Sequence, residues 1–157
     1  MVALFTAPLF SQSRSLFYIE RNKNRNRVQY AVRLDANCLP KGKKPIYAYW
    51  RMLEKGPRVT ESVGYFERKA YGIKSQKVVK NQIKMTMQAL PKKKVTVSFE
   101  KKNGKCLAKA STSINKNQAI LSKIYVFAVE GLMLPTVKYI DILGKASGRP
   151  VKERIKK

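Results

Sequence analysis

The chain has 157 residues, of which 34 are Lys or Arg, nine are Asp or Glu and none is His, so its formal net charge at pH 7 is +25. The missing His and the scarce carboxylates remove the groups that most often transfer protons in catalysis, and a surface this cationic attracts polyanions. Hydrophobic residues make up 44%, which indicates a folded chain, and the length predicts one domain with its own core. No apolar run is long enough to span a bilayer.

The N-terminal segment differs in character from the rest of the chain. Residues Val2–Phe10 carry no charge and are followed by small polar residues, as in the hydrophobic region and cleavage zone of a secretory signal, although no basic segment precedes them. One interpretation is a truncated signal, which predicts a periplasmic or secreted protein. The other is a frayed apolar arm, which would leave the protein cytoplasmic. We favour the first and separate residues 1–14 from the domain.

Alternation of apolar and polar residues with a period of two dominates residues 15–146. The segments Val28–Leu34, Ile83–Ala89 and Val95–Glu100 each place apolar side chains on one face, which predicts half-buried strands. Segment Ile46–Leu53 is apolar or aromatic on both faces, which is typical of a central strand. The segment 15–146 is therefore expected to be a single β-rich domain.

Turn residues separate these strands at short intervals. Asn103-Gly104 is a strong hairpin signal, and Ile114–Gln118 is a polar turn before a long apolar stretch. This pattern predicts a mainly β fold, an antiparallel meander of about seven or eight strands that forms a small barrel or sandwich. Segment Thr60–Tyr71 has helical spacing, with its first residue placed as a cap and Gly72 placed to end it, so we expect one short α-helix against the sheet. Residues 147–157 are polar and cationic, and we expect a loose basic tail.

Two cysteines, Cys38 and Cys106, are the only thiols. Without His they cannot form a common zinc site, so no metal site is predicted, and nothing in the sequence calls for a cofactor. Either the two residues form a disulfide, or Cys38 is a loop thiol and Cys106 a small core residue. We favour the second interpretation.

Basic residues occur in four clusters. The run Arg21–Arg27 has a cation at every second position, which would form a ladder for phosphates on a strand or splay into water on a hairpin loop, and we favour the loop. The other clusters lie at predicted strand ends, and they are Lys41, Lys43 and Lys44; Lys92, Lys93 and Lys94; Lys101, Lys102 and Lys105. If they gathered on one rim, they would bind nucleic acid, acidic glycan or anionic lipid headgroups. If they were scattered, they would mainly maintain solubility.

Aromatic residues could form a stacking platform beside this charge. Tyr30, Tyr47, Tyr49 and Trp50 fall on two predicted strands, and single-strand-binding proteins stack bases on such rings. Rings in a central strand are more often core, which is the interpretation that we favour.

Catalytic constellations are close to absent from the sequence. There is no Ser-His or Cys-His pair and no glycine-rich phosphate loop. Two carboxylates that the fold brings together could still support hydrolysis, as in glycosidases, and Glu20 with Asp141 is the first pair to inspect. We nevertheless expect a protein that is not an enzyme.

Four phrases carry a family resemblance, namely Leu16–Asn24, Pro45–Trp50, Glu67–Gly72 and Leu134–Asp141. Together they resemble an uncharacterised family of bacterial domains of unknown function, many of which begin with a signal peptide. The resemblance extends from Ser15 to Ile155. It implies a compact, exported β-rich domain and supplies no mechanism.

The same phrases suggest where a ligand would bind. Their polar and aromatic members, with the neighbouring strand residues, are Glu20, Arg21, Asn22, Tyr47, Tyr49, Trp50, Arg51 and Tyr71. We expect a monomeric binding or structural module in which Tyr47, Tyr49 and Trp50, with nearby cations, hold an anionic or amphiphilic small ligand. The alternatives are nonspecific nucleic-acid binding driven by charge, and the hydrolase described above. No particular partner is indicated.

Overall fold

The computed structural model describes residues 12–157, which form eleven β-strands and one α-helix. The elements are β1 (Gln12–Arg21), β2 (Asn24–Leu34), β3 (Ile46–Arg51), β4 (Thr60–Ser62), α1 (Tyr65–Tyr71), β5 (Ile73–Val79), β6 (Gln82–Met87), β7 (Val95–Lys102), β8 (Lys105–Ile114), β9 (Asn117–Val129), β10 (Thr136–Ala146) and β11 (Arg149–Lys156). The fold is therefore mainly β with one short helix, as predicted. The number of strands exceeds the expected seven or eight.

All strands belong to one mixed sheet. Its order is β4-β3-β2-β1-β9-β8-β7-β6-β5, with the β10–β11 hairpin attached to β9. Neighbours are antiparallel except for β1 and β9, which run parallel, with Tyr18 opposite Lys123 and Arg21 opposite Val126. The prediction of a purely antiparallel meander is therefore wrong at this pair, because β9 joins the first strand of the chain across a long sequence separation.

The sheet does not close into a barrel. Its two ends approach each other where the Gln76 side chain of β5 accepts a hydrogen bond from the Ile46 N–H and donates one to the Ile46 carbonyl, both at 2.9 Å. Among the described residues, no main-chain ladder joins β5 to β3. Strand β3 thus lies near one end of the sheet rather than at its centre, and an open, curled sheet takes the place of the expected barrel or sandwich.

One hydrophobic core fills the inside of the curl. Strands from both halves of the chain contribute to it, including Phe17 and Ile19 of β1, and Val95 and Val97 of β7. The alternating positions predicted for β7 are therefore buried as expected. The polar partners of these residues lie on the outer face because successive side chains of a strand point to opposite sides.

The predicted hairpin turns are present. Asn103 and Gly104 join β7 to β8 with φ angles of 51° and 75°, and Asn115 and Lys116 join β8 to β9 with φ angles of 49° and 65°. Two consecutive positive φ angles are typical of the tight turn whose twist matches that of paired strands. Local turn chemistry thus fixes the register of both hairpins.

The helix is shorter than predicted and lies on the surface. It begins after Gly64, not at Thr60, because residues 60–62 form β4 and pair with β3. None of its residues is buried, so the expected packing against the sheet is limited to its last residue. There, the carbonyl of Tyr71 accepts a hydrogen bond from the hydroxyl of the core residue Tyr30. Burial raises the pKa of Tyr30, which keeps this donor protonated.

The two cysteines form a disulfide, so the interpretation of two separate thiols is wrong. Cys38 lies in the β2–β3 connection, where the Asp35 carboxylate accepts hydrogen bonds from the main-chain N–H groups of Asn37 and Leu39. This turn folds the connection over β8 and leaves the Cα atoms of Cys38 and Cys106 5.3 Å apart. Such proximity depends on the sheet order, which spacing in the sequence cannot reveal.

The ends of the chain also differ from expectation. Residues Arg149–Lys156 are not a loose tail but form β11, which pairs along β10 from Ala146 to Tyr139. Most of the segment 1–14, interpreted as a signal or a frayed arm, lies outside the described residues. The described part begins directly with β1 at Gln12.

Candidate ligand-binding site

A cleft of about 780 Å³ opens beside β3, at the end of the sheet. Strand β4 forms one of its walls, and the residues that follow lead into α1 and back to β5. Its lining residues include Arg33, Tyr47, Tyr49, Glu61 and Arg68. Because β4 pairs only with the last part of β3, the first part of β3 is left free to line the cleft.

Tyrosine rings cover one side of this cleft. Tyr47 and Tyr49 lie two positions apart on β3 and stack with their ring centroids 5.8 Å apart. The guanidinium carbon of Arg33 lies 3.9 Å from the centroid of the Tyr47 ring, and the Tyr47 hydroxyl is 2.7 Å from the Ser13 hydroxyl. A cation held against a ring loses less freedom when it binds an anion. The cleft therefore presents ordered rings and an ordered cation together.

The charge in the cleft is positive. Among the described residues, neither Arg33 nor Arg68 forms an ion pair, whereas the carboxylate of Glu61 is already paired with Lys55. Two arginines without carboxylate partners beside stacked tyrosines can bind an anionic group and a ring at the same time.

A second, smaller pocket of about 220 Å³ lies near the β1–β2 turn. Arg21 and Trp50 line it, with the guanidinium carbon of Arg21 4.9 Å from the Trp50 ring centroid and 5.7 Å from that of Tyr71. Two carboxylate residues, Glu61 and Glu67, also reach this pocket. Within residues 12–157 the buried Nε of Arg21 and Nε1 of Trp50 have no hydrogen-bond partner. The rings thus confine Arg21 at the pocket without neutralising it.

The structure separates the residues predicted for one ligand site. Tyr47 and Tyr49 line the larger cleft, Arg21 and Trp50 line the smaller pocket, and Tyr71 packs edge-on against Trp50. Adjacent strand residues point to opposite faces of the sheet, so Trp50 enters the core while Tyr49 does not. The expected preference of aromatic residues for the core holds for Trp50 and for Tyr30 in β2.

The three remaining predicted residues have partners within the protein. Glu20 accepts a 2.6 Å hydrogen bond from Lys123 and lies 3.7 Å from the Nε of Arg27. The hydrogen bond to Glu20 raises the pKa of Lys123. Asn22 bonds both the N–H and the carbonyl of Ala128, and Arg51 donates to the carbonyl of Pro57. Their part in ligand binding stays a prediction.

The carboxylate pair selected for hydrolysis does not share a cleft. Residues Glu20 and Asp141 lie on either side of Tyr125 in the register of three adjacent strands, and neither lines the cleft or the pocket described above. Asp141 accepts hydrogen bonds of 2.7 and 2.8 Å from Arg154. These bonds hold the pKa of Asp141 below its usual value, which is opposite to what a general acid requires.

Sequence reasoning missed four charged residues that line these cavities. Arg33 reaches the cleft from β2 as a diagonal neighbour of Tyr47. Arg68, Glu61 and Glu67 line the cavities because the short strand β4 turns the chain back toward β3. A strand of three polar residues has no detectable period, so no sequence signal marked this contact.

Cations are spread over the molecule and do not gather on one rim. The cluster Lys92–Lys94 precedes β7, whereas Lys101 and Lys102 are its last two residues and Lys105 begins β8, so the two clusters lie at opposite ends of β7. On the outer face of the sheet, arginines lie over tyrosine rings of the neighbouring strand. The pairs are Arg27 with Tyr18 at 4.3 Å, Arg33 with Tyr47 at 3.9 Å and Arg154 with Tyr139 at 3.8 Å. Each pair is a diagonal neighbour in the sheet.

The family model of a domain of unknown function, DUF4833, matches residues 17–154. The chain belongs to this family. The match covers all of β2 to β10, the second half of β1 and most of β11, so nearly the whole curled sheet lies within the DUF4833 match. No curated protein and no solved structure matches the chain significantly.

Two further observations concern residues 12–157 of this DUF4833 domain. No group of three or more Cys, Asp or Glu side chains is placed to hold a metal ion. None of the described helices has the length and apolarity needed to cross a membrane.

Proposed function

We propose that this DUF4833 domain is an exported binding module that holds an anionic ligand in the cleft beside β3. The main support for this proposal is that Tyr47, Tyr49, Arg33 and Arg68 line one cavity of about 780 Å³. This volume is within the usual range for small-molecule sites, which combine a ring-binding surface with a few polar groups. The ligand class is a small anion with a planar or ring-shaped body, such as an acidic sugar.

Export is supported by the disulfide. Structural disulfides persist in oxidising compartments and are rare in the cytosol, and this one joins two buried cysteines. The family resemblance noted above agrees with export. Thiol labelling of protein in fractionated host cells tests it, together with mass spectrometry of the native N-terminus. Protein recovered from the cytosolic fraction with both cysteines reduced would contradict export.

Ligand binding is tested on protein purified from its native host. Bound small molecules are released by denaturation and identified by mass spectrometry, and titration calorimetry then measures the affinity of acidic oligosaccharides, with neutral ones of equal length as a control. Replacing Arg33 or Arg68 with Gln removes a charge-assisted hydrogen bond, so we expect affinity to fall by about tenfold or more.

The matched control is Arg149→Gln, an identical change at the exposed first residue of β11. Tyr49→Ala tests the ring surface and should also weaken binding. Equal affinities of Arg33→Gln and the unmodified protein for every acidic probe would refute the proposed cleft.

A second candidate is nonspecific nucleic-acid binding, which the arginine–tyrosine pairs across the outer face favour. It predicts affinity for single-stranded DNA that falls steeply with salt and differs little between sequences. Because the charge would act collectively, Arg149→Gln should then weaken binding as much as Arg33→Gln does. That comparison distinguishes the two candidates.

A further inference from the structure

The loop between β9 and β10 exposes three consecutive large apolar side chains, and we call residues Leu132–Leu134 the apolar tip. The exposed fractions are 107% for Leu132, 94% for Met133 and 78% for Leu134. Single exposed apolar residues are ordinary, but a contiguous group that none of residues 12–157 covers indicates an interaction site.

The apolar tip has a defined turn geometry. A Cβ atom placed on Gly131 would lie 2.3 Å from the carbonyl oxygen of Leu134, so the main chain folds back closely at this point. Val129 and Thr136 pair directly below the turn. The loop is therefore built to hold its apolar side chains outward.

Several lysines lie at the same end of the molecule as the apolar tip. Lys138 follows the tip in β10, its carbonyl accepts a hydrogen bond from the N–H of Lys157, and Lys156 pairs with the adjacent Tyr139. On the other side, Asn22 bonds to Ala128, near the end of β9, which brings Lys23 of the β1–β2 turn to the same end of the molecule. One carboxylate, Glu130, lies in this loop.

An aromatic pair completes the arrangement. Phe127 and Tyr139 stack behind the tip with ring centroids 4.9 Å apart and nearly parallel planes. Rings of this kind suit the boundary between headgroups and acyl chains, because one part is apolar and the tyrosine hydroxyl can remain in water.

We propose that the apolar tip inserts into the surface of an anionic lipid bilayer while the surrounding lysines contact the headgroups. Reversible membrane attachment needs both buried apolar area and attraction to anionic lipid, and this end of the molecule has both. An acidic glycan or a nucleic acid would engage the lysines but leave the leucines in water. A bilayer accounts for both the exposed apolar side chains and the lysines. This proposal is independent of the cleft proposed above.

The experiment uses the full chain and vesicles of phosphatidylcholine, with or without phosphatidylglycerol, separated by flotation. We expect the protein to float with the anionic vesicles. Joint replacement Leu132→Ser and Leu134→Ser should lower partitioning by at least about tenfold, since each leucine loses its burial in the bilayer. The matched control is Leu39→Ser with Leu107→Ser, two other exposed leucines, which should leave partitioning unchanged.

The charge contribution is measured on the same vesicles. Lys138→Gln and Lys156→Gln should each reduce partitioning about fivefold. The control pair Lys101→Gln and Lys102→Gln, in the exposed end of β7, should have a smaller effect.

Three results would overturn the proposal. The first is that the unmodified protein binds neither kind of vesicle. The second is equal binding of anionic vesicles by the leucine variant and the unmodified protein, which would indicate adsorption through charge alone. The third is a change of oligomeric state in the leucine variant, seen by light scattering after gel filtration, which would assign the tip to a contact between protein chains.

Discussion

Asp141 is a buried carboxylate that forms ion pairs with two cationic side chains. Its side chain is only 6% exposed, and it is surrounded by Arg154 and by Lys152 at 3.1 Å. Arg154 also lies over the ring of Tyr139. A buried carboxylate costs free energy unless it is paired and hydrogen-bonded, and here both conditions are met.

Replacing Asp141 with Asn should therefore change the pH dependence of stability. Hydrogen bonds from Arg154 lower the pKa of Asp141 in the folded state, so its stabilising effect is complete above the unfolded-state value of about 3.9 and is lost as the pH falls through the folded-state value. At neutral pH we expect the variant to lose about 1 to 3 kcal/mol of unfolding free energy.

Denaturant titrations from neutral to acidic pH measure this effect. The two proteins should converge in acid, where Asp141 is protonated. Glu100→Gln, at an exposed position of β7, is the control and should parallel the unmodified protein. A constant difference between Asp141→Asn and the unmodified protein at all pH values would contradict the assignment.

At the scale of single residues, the sequence predicted burial where only one face of a strand is apolar. The alternation in β7 placed Val95 and Val97 correctly because one face is polar. In β3 both faces are aromatic, so periodicity could not tell which of Tyr49 and Trp50 would be buried. That choice depends on which neighbouring strands cover each face, which is a tertiary property.

The side chain of Gln76 in β5 hydrogen-bonds to the main chain of β3, where a neighbouring strand would otherwise pair. Its side-chain amide bonds both main-chain groups of Ile46, as a neighbouring peptide would. This contact links the two ends of the curled sheet at one point, and it satisfies main-chain groups at the edge of β3.

Gln76→Ala should lower the unfolding free energy by about 1 to 3 kcal/mol, because it leaves the part-buried N–H and carbonyl of Ile46 without these partners. Thermal and denaturant unfolding measure the loss. Gln118→Ala, on the exposed part of β9, applies the same change where the described residues show no side-chain hydrogen bond and should cost much less. Equal losses would mean that the contact does not stabilise the sheet ends.

At the scale of elements, the sequence predicted features that neighbouring residues encode and missed those that depend on residues far apart in the chain. The turn at Asn103-Gly104 is encoded by two adjacent residues and was predicted. The parallel pairing of β1 with β9 has no local signature, since it depends on residues far apart in the chain. The helix start was placed too early because the helical spacing from Thr60 was outweighed by pairing of residues 60–62 with β3.

The disulfide acts at the scale of the whole molecule. It joins the β2–β3 connection to β8 across 68 positions of sequence, and so ties the first part of the sheet to the later strands. In the chain-entropy description, a cross-link over a loop of this length stabilises the fold by about 4 kcal/mol, because it restricts the unfolded chain.

Joint replacement of Cys38 and Cys106 with Ala should therefore lower the unfolding free energy by about 4 kcal/mol. Denaturant unfolding of the oxidised protein, the reduced protein and the variant measures it. Reducing agent should destabilise the unmodified protein and leave the variant unaffected. Equal stability of the oxidised and reduced forms would show that the cross-link is dispensable for folding.

The parallel contact between β1 and β9 also constrains how the chain acquires its shape. Position 18 lies opposite position 123, so the N-terminal hairpin has no neighbour on that side until most of the polypeptide has been synthesised. Contacts this distant in sequence slow folding because a long loop must close first. A chain truncated before residue 117 would accordingly carry an uncovered β1 edge, and the native sheet cannot be completed until β9 is available.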